Sequence, residues 1–197
     1  QRTMNVIDFR ETPPSAASPT IYASAPSSNA SAPLSEPSQY GGLAVAVPGE
    51  PAGIEHLLKR FGRLDRRAVV APALHLAESG FRVSSHLAGL SRTFASHLQA
   101  DPGMATWFSG DQRGLVTNQV LKRPKLAKTL RAFAKSGARP FYRGTIAARI
   151  VKRVRESGGI LTAADLRNYR VVERPPLQAV HIGYRWVTVP QSSSVGL

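Results

Sequence analysis

Apolar residues recur at helical spacing in the second half of this chain. Leu126, Leu130 and Phe133 are separated by four and three positions, and Gly137 follows them. This spacing predicts an amphipathic helix that ends at the glycine. A second apolar stripe occupies residues 141–154 and stops before a pair of glycines. We therefore expect packed helices in this part of the chain.

A further helix start follows directly. Thr162 and Asp165 frame the sequence TAAD, which has the Thr-x-x-acid form of a capping box, with Asp in place of the usual Glu or Gln. Residues 124–169 therefore have a well-specified local structure. On its own, this pattern predicts packed helices and no particular chemistry.

The first half of the chain carries the same kind of helical signal. Apolar residues spaced by three and four positions predict helices at 54–61, 69–77 and 87–98, the second of them ending at Gly80. Residues 107–120 lack this periodicity, so we expect irregular structure there.

Short extended runs predict strands between these helices. They lie at 5–11, 43–47, 81–83, 177–182 and 184–189. The last two are joined around a glycine, which is typical either of a hairpin or of two consecutive strands.

One long stretch matches neither pattern. Residues 15–40 are rich in Ser, Ala and Pro and contain little that a core would bury, which predicts a flexible loop or an insertion. The remainder of the 197 residues suffices for one domain with a hydrophobic core.

Composition narrows the possible chemistry. The chain has no cysteine, so disulfides, thiolate catalysis and cysteine-bound zinc are excluded. No apolar run approaches the roughly 18 residues that a membrane span needs. The chain begins at Gln1 rather than at Met and stops just after a serine-rich turn; both features favour a processed or truncated piece of a larger protein.

The charge is strongly positive. The chain has 26 Lys and Arg against 12 Asp and Glu, a formal net charge of +14. Such a balance suggests nucleic acid or an anionic surface as a partner. The alternative is the ordinary basic surface of a protein from an arginine-rich proteome. We favour the alternative because the basic residues look dispersed and no nucleic-acid-binding motif accompanies them.

Generic catalytic motifs are absent from the sequence. It contains no nucleophile elbow, no P-loop, no dinucleotide fingerprint and no H-E-x-x-H zinc motif. His75, His86 and His97 are evenly spaced, but a glycine at 80 separates the first from the others, so we expect no metal site. The serines at 192–194 have no recognisable base and are interpreted as turn residues.

Arg10 stands apart from the other basic residues. It follows an apolar run and has Asp8 and Glu11 beside it. A guanidinium at a strand end suits bidentate capture of a carboxylate, where lysine offers only a point charge. Spacing alone leaves the alternative open that Arg10 forms an internal ion pair with Asp8 or Glu11.

Several segments, taken together and in order, resemble the large subunit of the gamma-glutamyltranspeptidases. Each motif is weak alone, but six in register cover nearly the whole chain apart from the loop at 15–40. The matching segments are 6–11 (VIDFRE), 45–53 (VAVPGEPAG), 72–83 (PALHLAESGFRV), 126–147 (LAKTL, then G, FYRG and IA), 158–169 (GGILTAADLRNY) and 190–196 (PQSSSVG).

The resemblance implies a fold class and a reaction. The class is α+β: an N-terminal nucleophile hydrolase of four-layer αββα architecture, of which residues 1–197 would be an incomplete, helix-rich portion of one large-subunit domain. The family's precursor cleaves itself into two subunits, and the threonine exposed at the start of the small subunit is the nucleophile. It takes the γ-glutamyl group of glutathione as an acyl-enzyme and passes it to water or to an amino-acid or peptide acceptor.

By the same resemblance, Arg10 matches the arginine that holds the α-carboxylate of the γ-glutamyl group. It is the only binding residue carried over. The nucleophilic threonine would lie beyond Leu197, so this chain holds no catalytic residue and Thr145 is not the processing site. No cofactor and no metal is implied. The small-subunit portion of the precursor would be the partner, with no nucleic acid, in a periplasmic or secreted protein.

Departures from the family pattern keep alternatives open. Gln191, Ser192 and Val195 replace two prolines and a glycine in the C-terminal turn. A cephalosporin-acylase-like amidohydrolase, an inactive relative and, on net charge alone, a basic nucleic-acid-binding module therefore remain as other hypotheses. Because much of the family's central sheets would come from other segments, we also expect exposed apolar surface on this chain.

Overall fold

Nine helices make up about half of the computed structural model within the residues it describes, which are 4–23, 36–105 and 114–190. In chain order the helices are α1 Glu50–Phe61, α2 Arg66–Ser79, α3 Ser85–Thr93, α4 Ala95–Ala100, α5 Pro102–Ala105, α6 Pro124–Ser136, α7 Arg139–Arg143, α8 Thr145–Glu156 and α9 Ala163–Asn168. The predicted helices in the ranges 54–61, 69–77 and 124–137 are confirmed.

The described strands form three separate antiparallel pairs. The strands are β1 Val6–Asp8, β2 Phe81–Arg82, β3 Val120–Leu121, β4 Val172–Arg174, β5 Leu177–His181 and β6 Tyr184–Thr188. β1 pairs with β4, β2 with β3, and β5 with β6. The last pair is a hairpin around Ile182 and Gly183, both at positive φ, which decides between the two predicted arrangements. The pairing of β1 with β4 connects the N-terminal segment to the segment that follows α9.

The main hydrophobic core is built mostly from the helices of the second half, with Val47, and Val70 of α2, joining it from the first half. Leu161 and Leu166 are fully buried, and the ring of Phe133 packs edge-on against Phe141 at 6.2 Å between centroids. The helices α2 and α6 pack against each other, and α7 packs against both α8 and α9. The stretch that has the clearest periodicity therefore supplies the scaffold on which the N-terminal segments lie.

The capping box at the start of α9 is present. The Thr162 side chain accepts a hydrogen bond from the Asp165 main chain at 3.1 Å, and Asp165 accepts one from the Thr162 main chain at 2.8 Å. Asp165 also accepts a hydrogen bond from the main-chain N–H of Ser15 at 2.9 Å. The cap thus fixes the start of the loop at 15–40 to the helical scaffold.

Residues 15–23 of that loop form successive turns. Ala17 donates to the carbonyl of Pro14, and the Tyr22 hydroxyl donates to the carbonyl of Leu43 at 3.3 Å. Residues 24–35 lie outside the described part of the chain, so the flexible loop stays a prediction.

Two predicted elements differ in the structure. The predicted strand 43–47 is wrong: Gly42–Ala44 form a 3-10 turn, and Val47 makes only an isolated bridge with Thr12. The 3-10 turn lies against the end of α8, where Gly42 donates to the Ser157 carbonyl at 2.9 Å. This contact is far away in sequence, and an apolar run cannot reveal it.

The single helix predicted at 87–98 is two helices. It breaks at Phe94, whose backbone (φ −102°, ψ 18°) ends α3 and begins α4. The apolar stripe at 141–154 is similarly divided between α7 and α8, with Gly144 between them. Of the predicted irregular stretch 107–120, only residues 114–120 lie within the described ranges.

Exposed apolar side chains concentrate on the β5–β6 hairpin. Val180, Ile182 and Tyr184 are each more than 70% exposed, and Trp186 is 58% exposed. This confirms the expected exposed apolar surface. Separately, none of the helices in the described ranges is long and apolar enough to cross a membrane.

Positive charge is not dispersed evenly along the chain. Half of the 26 basic residues lie between positions 112 and 155, a stretch that contains no Asp or Glu. Arg131 and Arg153 find carboxylates elsewhere, on Glu78 of α2 and on Asp101 at 3.0 Å. The sequence-based view of scattered charge is therefore wrong for this half of the chain.

Candidate carboxylate-binding site

Arg10 lies at the wall of an open cleft of about 630 Å³. It follows β1, and the cleft is bounded by that segment, by the turn before α1 and by the chain after β6. The lining residues are Val6, Ile7, Asp8, Phe9, Arg10, Glu11, Ala44, Ala46, Pro48, Gly49, Glu50, Val189 and Pro190. We call this space the Arg10 cleft.

The guanidinium of Arg10 is only weakly engaged within the protein. Its side chain is 57% exposed, and its one ion pair among the described residues is with Glu11, at 3.6 Å between Nε and Oε1. Asp8 instead pairs with Arg174 of β4, at 2.9 Å. Of the two ion pairs that formed the alternative for Arg10, the structure contains the one with Glu11 and not the one with Asp8. The Glu11 pair is long and exposed, so it stabilises little.

The main chain of Arg10, by contrast, is held on both sides. Its N–H donates to Oδ1 of Asp8 at 3.2 Å, and its carbonyl accepts a hydrogen bond from the Tyr169 hydroxyl at 2.9 Å. The N–H of Arg10, followed by the Arg174 guanidinium, holds the pKa of Asp8 below its usual value. Asp8 is therefore a charged acceptor at neutral pH.

Tyr169 is itself packed against a second tyrosine. The rings of Tyr142 and Tyr169 are stacked, with 5.6 Å between centroids and 14° between planes. The Tyr142 hydroxyl donates to the Pro48 carbonyl at 2.7 Å and accepts from the Ala52 N–H at 3.2 Å. The Tyr169 hydroxyl therefore links Arg10 to the end of α9, and the Tyr142 hydroxyl links the residues around the start of α1 to α7.

Burial keeps both phenols protonated. It raises the pKa of Tyr142 to about 12. Burial, followed by the charges of Asp8 and Glu11, also raises the pKa of Tyr169 above its usual value. Both hydroxyls therefore act as hydrogen-bond donors to main-chain carbonyls at any physiological pH.

Two glycines allow this close packing. A Cβ on Gly49 would overlap the Phe9 carbonyl and the Tyr169 hydroxyl, and a Cβ on Gly53 would overlap the Phe9 ring. The φ of Gly49 is −100°, an ordinary value. Space, and not backbone conformation, is thus what excludes a side chain at this position.

The arrangement can bind a carboxylate. An exposed guanidinium on a fixed main chain, in an open cleft, presents two parallel N–H donors to a ligand. Four segments of the sequence, 6–11, 45–53, 141–144 and 158–169, come together to build it. The sequence pointed to Arg10, but nothing local indicated that Tyr169 or Asp8 would hold its main chain.

The other chemically interesting residues lie elsewhere. His56 bonds to Glu173 at 3.0 Å, linking α1 to β4. Within the described ranges, no three His, Asp or Glu side chains cluster as a metal ion would require. Thr145 is the first residue of α8. The serines at 192–194 and the altered turn around Val195 lie outside the described residues.

Solved structures with the same fold identify the class of protein. The chain aligns with the gamma-glutamyltranspeptidase of Helicobacter pylori at a TM-score of 0.86 and 29% identity, over 95% of this chain and 53% of that one. It aligns with a cephalosporin acylase from Bacillus halodurans at 0.80 and 28% identity, over 93% of this chain and 34% of that one. The fold is the helix-rich part of an N-terminal nucleophile hydrolase.

The family follows from the sequence match. The family model for gamma-glutamyltranspeptidase covers residues 1–197, and the chain belongs to that family. It is 34% identical over 189 residues to glutathione hydrolase 2 of Arabidopsis thaliana. This alignment covers 96% of this chain and 31% of the relative. The chain thus spans about a third of the length of the curated relatives it matches.

Proposed function

We propose that the full-length protein containing this chain transfers γ-glutamyl groups and hydrolyses glutathione. The observation that carries this proposal is the exposed Arg10 guanidinium on a main chain fixed at both its N–H and its carbonyl. Membership of a family whose relatives bear the name glutathione hydrolase supports it. In this role Arg10 binds the α-carboxylate of the γ-glutamyl group.

The proposed reaction is acyl transfer through a threonine. The threonine hydroxyl attacks the γ-carbonyl carbon, its proton passes to the nucleophile's own α-amine, and the C–N bond breaks as the leaving amine takes up a proton. Water or the amine of an amino acid or peptide then attacks the resulting ester and releases the γ-glutamyl group. Arg10 would keep the γ-glutamyl group positioned for attack in both steps.

The nucleophile is proposed to lie outside this chain, on a small-subunit portion of the same precursor. None of the residues of 1–197 matches the family's nucleophile, so the chain alone should be inactive. Its contribution would be substrate binding and support of the other portion. A periplasmic or secreted location is proposed from the family alone.

A second candidate is a cephalosporin-acylase-like amidohydrolase. It is favoured by the alignment with the Bacillus halodurans acylase, at a TM-score only slightly lower than that with the transpeptidase. Arg10 does not discriminate between these functions. A glutaryl group carries the same terminal carboxylate as a γ-glutamyl group and lacks only its amine, so the guanidinium suits both.

A substrate panel on the full-length protein tests the choice. We would compare kcat/KM for glutathione, γ-glutamyl p-nitroanilide and glutaryl p-nitroanilide. The proposal expects the γ-glutamyl anilide to be preferred by about tenfold or more, because a site built for a charged amine penalises its absence. Equal or better turnover of the glutaryl anilide would establish the acylase, and no turnover of any substrate would establish an inactive relative.

A further inference from the structure

The anchoring of Arg10 depends on side chains and not on a sheet. The β1–β4 register ends at Asp8, opposite Val172, so Arg10 lies beyond the strand pairing. Among the described residues, its main chain makes two hydrogen bonds, one to Asp8 and one from Tyr169. Together with the Thr12–Val47 bridge two residues further on, those two groups hold the backbone from which the guanidinium extends.

We infer that Tyr169 is a positioning residue for Arg10. Its hydroxyl fixes the Arg10 carbonyl and thereby orients the guanidinium toward the substrate carboxylate, although Tyr169 does not itself line the Arg10 cleft. This inference rests on the proposed function, since it assumes that Arg10 binds that carboxylate. A small displacement of a positioning group is costly because binding and reaction require close alignment.

The packing around Tyr169 suits this role. Its ring is stacked on Tyr142 and its hydroxyl lies where a Cβ of residue 49 would otherwise be, next to the Phe9 carbonyl. The phenol therefore has little freedom to move. Asp8, held by Arg174 at 2.9 Å, fixes the N–H on the other side of the same residue.

Tyr142 provides a matched control. It is as buried as Tyr169, its ring takes part in the same stack, and its hydroxyl also donates to a main-chain carbonyl. That carbonyl belongs to Pro48, not to Arg10. Tyr142→Phe removes two hydrogen bonds, the one to Pro48 and the one from Ala52, whereas Tyr169→Phe removes the bond to the Arg10 carbonyl. Tyr142→Phe therefore disturbs the packing at least as much, but only Tyr169→Phe releases Arg10.

The experiment uses a readout that general destabilisation does not move. In the full-length enzyme, we would measure the ratio of kcat/KM for γ-glutamyl p-nitroanilide to that for 4-aminobutyryl p-nitroanilide, which lacks the α-carboxylate. Circular dichroism would establish that each variant is folded. This ratio reports how well the carboxylate is recognised, and partial loss of folded enzyme affects both substrates equally.

Tyr169→Phe should lower this ratio about 3- to 10-fold, the value of one hydrogen bond. Tyr142→Phe should leave it within about twofold. Arg10→Lys should lower it by about tenfold or more, and adding Tyr169→Phe to Arg10→Lys should change it no further.

The outcomes separate the two proposals. If Arg10→Lys lowers the ratio but Tyr169→Phe does not, or if Tyr142→Phe lowers it equally, the positioning role is wrong while the assignment of Arg10 stands. If Arg10→Lys leaves the ratio unchanged, the carboxylate-binding role of Arg10 fails and the positioning role fails with it.

Discussion

Glu55 on α1 accepts a hydrogen bond from the main-chain N–H of Ala138, at 2.7 Å, just before α7 begins. The same carboxylate pairs with Lys59 at 3.0 Å and with Arg66 of α2 at 3.5 Å. Burial favours its neutral form, but the Ala138 N–H and the neighbouring cations outweigh burial and lower the pKa of Glu55. One side chain thus connects three helices.

Replacing Glu55 by alanine should therefore be costly. The variant leaves the buried Ala138 N–H without its acceptor, so we expect a loss of about 1–3 kcal/mol in the free energy of unfolding, measured by urea denaturation of the full-length protein. Lys59→Ala is the control: its side chain is 71% exposed, and it should cost about 0.5 kcal/mol or less. Equal losses would contradict the bridging role of the carboxylate.

Asp165 should make stability depend on acid pH. Burial favours its neutral form, but hydrogen bonds from Ser15 and Thr162 outweigh burial and lower the pKa of Asp165 to about 2. Because this folded-state pKa lies below the ordinary value of 3.8, the stabilisation is fully present above about pH 4 and is lost as the pH falls toward 2. Asp165→Asn should cost about 1–3 kcal/mol at pH 7.

The difference in unfolding free energy between the parent and Asp165→Asn should shrink between pH 5 and pH 2. Asp65→Asn serves as the comparison, because Asp65 caps α2 by accepting from Ala68 at 2.8 Å and asparagine caps a helix equally well. A pH-independent difference for Asp165→Asn would show that its charge does not carry the stabilisation.

Two glycines should respond in opposite directions to alanine. Gly49→Ala places a Cβ into the Phe9 carbonyl and the Tyr169 hydroxyl, so it should lower stability by about 1–3 kcal/mol and weaken γ-glutamyl substrate binding. Gly89 lies within α3, and a Cβ added there meets no atom within 4 Å. Gly89→Ala should raise stability by about 0.5–1 kcal/mol. Thermal unfolding of both variants would reveal the sign of each change.

Arg10→Lys keeps the positive charge and removes the fork of donors. If Arg10 binds the substrate carboxylate, kcat/KM of the full-length enzyme should fall about 10- to 100-fold, mostly through KM. Arg139→Lys, at the exposed start of α7 and outside the Arg10 cleft, should leave the kinetics unchanged. Unaltered KM and kcat in Arg10→Lys would contradict the assignment of Arg10 as the carboxylate-binding residue.

Local signals were sufficient for the helical scaffold. The periodicity of Leu126, Leu130 and Phe133 and the cap at Thr162 depend on residues three or four positions apart, and the structure contains both features. The break at Phe94 was not predictable in the same way, because neither proline nor glycine marks it. The 3-10 turn at Gly42–Ala44 was missed because its contact with Ser157 is distant in sequence.

Of the candidate site, only the exposed Arg10 could be predicted from the sequence. An arginine after an apolar run, flanked by acids, indicates carboxylate chemistry, and this pattern singles out Arg10. The groups that fix its main chain are an acid two residues away and a tyrosine 159 residues away. A contact between residues 159 positions apart produces no local sequence pattern, so only the folded structure reveals it.

The separation between Arg10 and Tyr169 in the sequence also sets the delay between their synthesis. During synthesis at roughly 5–20 residues per second, the arginine emerges on the order of 10–30 s before the tyrosine that binds its carbonyl. Until then the main chain of Arg10 lacks one of its two hydrogen bonds. A nascent chain arrested before residue 169 should therefore carry Arg10 with its carbonyl unsupported by Tyr169.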